Sequence, residues 1–211
     1  MTIPTLYHCR DARSFRVLWM LEELEAGYRL ELLPFPPRDR APGYLELNPL
    51  GTIPLFLEGE ARMTESAAIC QYLATTRGDG RFAIAPGESG YAAYLDALSF
   101  GEATLTFPQT LVLRYAMLEA EARRVPQVAD DYRQWYLARL RGLEAMLAEG
   151  DHVAGGRFTA ADISVGYALM LAEFLRIGDG GLPRVAAYWE RLRARPALGR
   201  AKAAQLKEQA A

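Results

Sequence analysis

The chain has 211 residues, a formal net charge of −2, 51% hydrophobic residues and 24% charged ones. That length supports a sizeable core, in one domain or two small ones, and the composition excludes a disordered chain. The near-balanced charge gives no reason to expect nucleic acid or an anionic membrane surface as a partner, and no stretch approaches the length of a bilayer span.

Two cysteines, Cys9 and Cys70, do not make a disulfide framework, so reduced thiols are expected. The opening MTIPTLYHCRDARSF meets Arg10 and Asp11 before any long apolar run, unlike a secretory leader. The expected compartment is the cytoplasm.

Residues 3–8, IPTLYH, read as a short strand that breaks at Cys9-Arg10-Asp11. From Ser14 onward Val17, Leu18, Leu21 and Leu24 recur at helical spacing, and Gly27 closes the helix. Residues 28–35 read as a second strand stopped by Pro34, Pro36 and Pro37, which completes a βαβ unit. A loop rich in Pro and Gly leads to a third strand at 53–57, a turn at Glu58-Gly59-Glu60 and a return strand at 61–63. A helix over 66–75 follows, and the aperiodic, glycine-rich 78–90 reads as a linker.

Beyond the linker no strand is expected. Helices are expected over 91–118, kinked near Pro108, then over 128–147, 160–175, 183–193 and 197–207. Thr159 and Asp162 have the spacing of a reciprocal helix cap, bracketed by Phe158 and Ile163. The class therefore switches from mixed α/β (1–77) to all-α (91–211), which implies two domains.

Several residues have the chemistry to hold a ligand. Pro54 opens an apolar strand, where it has no N–H to donate. A cis Ile53–Pro54 bond exposes the main-chain N–H and C=O of Ile53 to an extended peptide, whereas a trans one is simply a strand start. Thr64-Glu65-Ser66 precedes a helix, where free N–H groups and the dipole favour a carboxylate and Glu65 suits an ammonium, unless the hydroxyls only cap the helix. Arg10, Arg13 and Arg16 surround the start of the first helix, a poor arrangement for the dipole without a bound anion, or else long side chains reaching solvent.

Tyr7, Cys9 and Ser14 can each donate to a sulfur and favour its thiolate; Tyr7 is otherwise a packed strand residue. Cys9 has no partner at C-x-x-C spacing, and no Cys/His/Asp cluster suggests a metal site.

Taken together, LYHCRDARSFRVLWMLEEL, NPLGTIPLF, MTESAAICQYL and FTAADISVGYAL resemble the cytosolic glutathione transferases, in order and spacing and over nearly the whole chain. The resemblance implies a thioredoxin-like α/β domain followed by an all-α domain. It implies glutathione as cosubstrate, with no metal. Pro54 matches the family's cis-proline, Ile53 the residue that binds the cysteinyl backbone, and Glu65 and Ser66 the pair that binds the γ-glutamyl end. Arg13 is assigned to the same ligand.

The catalytic position departs from the family: aligned on Arg16-Val17, the usual serine falls on Asp11 or Ala12, and the cysteine of another type falls on Arg13. Ser14, Tyr7 and Cys9 are the remaining candidates, with Ser14 preferred because it opens the helix. The resemblance further implies a homodimer and a small electrophile held between the domains, with Phe107, Leu111, Tyr115 and Trp135 as candidates to line its pocket. Thiol–disulfide exchange, peroxide reduction and binding without catalysis are the rival expectations.

Overall fold

The computed structural model describes residues 2–206. Two compact units emerge among these residues, one formed by residues 2–83 with 193–206 and the other by residues 84–192.

The first unit is built on four short strands, β1 (Thr5–His8), β2 (Arg29–Leu32), β3 (Leu55–Glu58) and β4 (Ala61–Met63), in the order β2-β1-β3-β4. β1 and β2 run parallel, joined by helix α1 (Phe15–Glu23), while β3 is antiparallel to both β1 and β4. This is a thioredoxin-like mixed sheet. β2 is half the expected length because the Pro34–Pro37 run offers almost no N–H groups to continue the ladder. Leu6 and His8 face one side of the sheet, together with α1 and α4 (Ser66–Thr76), which pack on each other. Tyr7, Cys9, Ile53 and Leu55 face the other side, under Tyr44 and Leu47 of the short helix α3 (Tyr44–Leu47), which follows α2 (Pro37–Arg40).

The chain's last described helix lies in this same unit, although sequence periodicity gave it to the helical half. Two arginines and α1's acidic residues explain its docking. Arg195 forks onto Glu23 at 2.6 and 2.7 Å, and Arg200 donates to the Glu22 carboxylate and main-chain carbonyl at 2.9 and 2.6 Å.

The second unit is helical: α5 (Tyr91–Ser99), α6 (Phe107–Leu113), α7 (Pro126–Met146), α8 (Ala160–Phe174) and most of α9 (Pro183–Arg193); α10 (Pro196–Ala204) is the docked helix just described. The expected kink at Pro108 appears as a widened, π-helical stretch over Phe100–Thr106 directly before the proline. A wide turn relieves the clash that a proline ring makes with the carbonyl one turn back. Thr106 Oγ1 donates to the Gly101 carbonyl at 2.7 Å within that stretch. Gly101 lies so close to α8 that a Cβ there would stand 2.4 Å from Ser164 Oγ, so no other residue fits.

α8 is apolar around its whole circumference and buried along most of its length. The Thr159–Asp162 box starts it: Thr159 N–H donates to Asp162 Oδ2 at 2.8 Å, and Ala161 N–H donates to Thr159 Oγ1 at 3.3 Å. No helix among the described residues is long and apolar enough to cross a membrane.

Candidate functional site

The hairpin of β3 and β4 pairs Phe56 with Met63, Leu57 with Arg62 and Glu58 with Ala61. Continued outward, that register sets Pro54 across from Glu65 and Ile53 across from Ser66. The Ile53–Pro54 bond is cis. The ladder begins only at Leu55, and the N–H and C=O of Ile53 have no hydrogen-bond partner among the described residues. The Ile53 side chain is buried with Cys9, Tyr44 and Leu55, which fixes the main chain in place.

The preceding turn is also held. The Thr52 carbonyl accepts from Tyr44 OH at 2.7 Å and Asn48 Nδ2 at 2.8 Å. Gly51, at φ 62°, allows the turn to pass Arg38, whose Cβ would stand 2.6 Å from any side chain there. An extended peptide alongside Ile53 thus meets one open donor and one open acceptor on a rigid support.

Along that continued register, just past the end of β4, lies the mouth of α4. Glu65 is exposed at the N-cap with extended backbone and makes no side-chain cap, so its carboxylate stays available. Ser66 is 4% exposed, and its Oγ accepts from Arg16 Nη1 at 3.2 Å. With one lone pair given to a guanidinium, the hydroxyl still has its hydrogen for an outside acceptor, and the charge strengthens that donation. Arg16 is completely buried. Of the three arginines expected around α1, it therefore points inward, while Arg10 is exposed and Arg13 partly so.

The loop between β1 and α1 carries the three thiol-contact candidates. Tyr7 is partly buried, tilted against Tyr44 with ring centres 6.1 Å apart, and its hydroxyl makes no hydrogen bond among the described residues. Cys9 is wholly buried, its Sγ 3.7 Å from the Pro34 carbonyl; burial pushes its pKa up to about 12, so it is no thiolate at neutral pH.

Ser14 is also wholly buried, with Oγ 2.7 Å from His8 Nδ1 and accepting from Cys9 N–H at 3.4 Å. On the other side of the ring, His8 Nε2 lies 3.0 Å from Gln205 Oε1. Burial outweighs the Gln205 bond and the Asp11 charge and brings the His8 pKa down to about 4, leaving a neutral imidazole at pH 7. Sequence reasoning missed both Gln205 and the burial of His8. Nothing in the polar KAAQLKE run marks one glutamine as a core contact. Arg16 was more findable, since it lies one helical turn before Met20 within the apolar stripe.

In the second unit, Phe107 and Leu111 are one turn apart on α6, and Tyr115 follows in a second widened stretch, Arg114–Leu118. Phe107 is exposed and the other two partly so; Arg114 lies 5.4 Å from the Tyr115 ring centre. Trp135 is exposed on α7, stacked on Tyr132 at 5.7 Å. Among the described residues no group of three His, Cys, Asp or Glu side chains is placed to hold a metal.

Residues 12–76 match the family model for the glutathione S-transferase N-terminal domain. The chain is 30% identical over 200 residues to glutathione S-transferase 3 of Zea mays, with 85% of each chain covered. A glutathione transferase of Phanerochaete chrysosporium, solved in complex with oxidized glutathione, has a TM-score of 0.84 at 27% identity over 97% of this chain and 96% of that one. A sphingomonad glutathione S-transferase complexed with glutathione has a TM-score of 0.82 at 25% identity, over 95% of this chain and 98% of that one.

Proposed function

The chain belongs to the glutathione transferase family, and we propose that it conjugates glutathione to small electrophiles of apolar character. The observation that carries this reading is the open main chain of Ile53 beside the Glu65–Ser66 helix mouth. The cysteinyl backbone of glutathione pairs with the N–H and C=O of Ile53. Its γ-glutamyl ammonium meets Glu65, and the adjoining carboxylate takes the Ser66 hydroxyl and the first N–H groups of α4. Arg13 meets a second anionic group of the tripeptide.

Of the three thiol-contact candidates, Tyr7 alone keeps an uncommitted hydroxyl, and we assign it the sulfur. Donation from Tyr7, with the positive end of α1 nearby, favours the thiolate; each pKa unit of lowering corresponds to about 1.4 kcal/mol. The thiolate then attacks an electrophilic carbon, a C–S bond forms, and a leaving group departs with its electron pair. Phe107, Leu111 and Tyr115 remain the candidates for the electrophile's apolar body.

Thiol–disulfide exchange is the second reading, favoured by the oxidized glutathione held by the Phanerochaete relative. The burial of Cys9 argues that any exchange runs through the bound glutathione sulfur and not through this side chain. We further assign a homodimer, as the family resemblance implies, and a reducing compartment, in keeping with two free, buried cysteines. Steady-state conjugation of an activated aryl chloride by reduced glutathione tests the reading. Activity that falls in Tyr7→Phe supports it; no activity above the uncatalysed rate overturns it.

A further inference from the structure

The loop between β1 and α1 is fastened from the far end of the chain. Gln205 is 4% exposed, and its side chain makes three hydrogen bonds, all to this loop or the residue before it. Its Oε1 accepts from Asp11 N–H at 3.0 Å, its Nε2 donates to Asp11 Oδ1 at 2.6 Å, and Oε1 also lies 3.0 Å from His8 Nε2. The two Asp11 contacts allow only one orientation of the carboxamide. Turned over, it would set N–H against N–H and oxygen against carboxylate.

With Oε1 facing His8, the ring must carry its proton on Nε2. Nδ1 is then an acceptor, and the hydroxyl 2.7 Å away on Ser14 must donate to it. The Ser14 proton is thereby committed inside the protein and does not reach an outside sulfur.

Asp11 gives the latch its purpose. It adopts φ 56°, a left-handed conformation uncommon outside glycine that aspartate tolerates better than most residues. Gln205 holds that conformation by gripping both the main chain and the side chain of this one residue. Asp11 stands at the apex of a turn closed by Ala12 N–H donating to the Cys9 carbonyl at 3.1 Å, between the strand that carries Tyr7 and the mouth of α1.

We propose that Gln205 is a positioning residue for catalysis: through Asp11 and His8 it holds the Cys9–Ser14 loop in the shape that presents Tyr7 and the start of α1 to the glutathione sulfur. The proposal rests on the functional reading above. It assigns a role to a residue 194 positions from the loop it controls.

The test has two arms on the full chain. Nitrogen NMR of the His8 ring reports the latch in the unliganded protein. It should find the Nε2–H tautomer, and the Nδ1–H tautomer would overturn the proposal.

Ultraviolet titration of enzyme-bound reduced glutathione reports its consequence. Gln205→Leu should return the bound thiol pKa toward that of free glutathione and lower kcat/KM by about 10- to 100-fold, the usual effect of a small misplacement. Gln205→Glu keeps the acceptor but sets a carboxylate against Asp11, and should fall in between. Arg200→Ala loosens the same C-terminal helix from Glu22 without touching the loop, and should leave the thiol titration unchanged.

A folded Gln205→Leu protein with an unmoved thiol pKa overturns the proposal, as does an equal shift in Arg200→Ala. A wild-type thiol that titrates like free glutathione contradicts the functional reading itself, and the positioning role falls with it even if His8 has the expected tautomer.

Discussion

Arg16 Nη1 donates to Ser66 Oγ at 3.2 Å, joining a fully buried guanidinium in α1 to the mouth of α4. The pair crosses the sequence from the first helix to the serine that opens α4, and it sets which way the serine's proton points. Ser66→Ala should weaken glutathione binding about tenfold, the worth of one charge-assisted hydrogen bond. Arg16→Met keeps the volume and removes the charge, and it should weaken binding by less. The double variant should be clearly non-additive, because both changes act on one hydroxyl. Calorimetric titration of reduced glutathione into the four proteins measures this.

Cys9 should be chemically silent. It is wholly buried with its pKa pushed up to about 12, and Cys70 is buried with a pKa likewise raised to about 12. A colorimetric thiol reagent should label neither cysteine in the folded protein and both after denaturation. Cys9→Ala should keep conjugating activity within about twofold, since no reacting atom depends on it.

His8 ties stability to pH. Its folded pKa, about 4, lies below the ordinary 6.5, so the folded state favours the neutral ring. Above 6.5 both states are neutral and the contribution is whole. As pH falls from 6.5 toward 4 the unfolded chain takes up the proton first, and stability drops by about 3 kcal/mol at the lower end. Urea denaturation across that window should find the loss in the wild type and a smaller one in His8→Gln.

Asp162 anchors the second unit. This buried carboxylate accepts from Thr159 N–H at 2.8 Å, Thr159 Oγ1–H at 3.2 Å, Val153 N–H at 3.2 Å and Tyr188 OH at 2.9 Å. Asp162→Ala strands four donors and should destabilise by about 3–5 kcal/mol. Thr159→Ala removes the cap and one of those four donors, leaves the carboxylate the other three, and should cost only about 1–2 kcal/mol. Chemical denaturation of the two variants gives the ordering directly.

The sheet was legible in the sequence because its signals are local. A strand broken at Cys9-Arg10-Asp11, a turn at Glu58-Gly59-Glu60 and an apolar stripe through Val17 and Leu21 each lie within one window of residues. The Thr159–Asp162 cap was legible for the same reason.

The wiring of the β1–α1 loop was not. Ser14 opens a helix and carries a hydroxyl, so local chemistry nominates it for a ligand. Its actual partner is His8, whose ring is oriented by Gln205, a residue that only the fold brings near. The docking of α10 was hidden in the same way. Its amphipathic pattern says that a face is buried, but only the Arg195–Glu23 and Arg200–Glu22 pairs say against what.

The most direct test is a crystal structure of the chain with reduced glutathione. The account predicts an extended tripeptide with its cysteinyl N–H and C=O on the main chain of Ile53, its γ-glutamyl end at Glu65 and Ser66, and its sulfur within hydrogen-bond reach of Tyr7 OH. Glutathione bound elsewhere, or a saturated crystal in which Ile53 pairs with the protein's own chain, would contradict it.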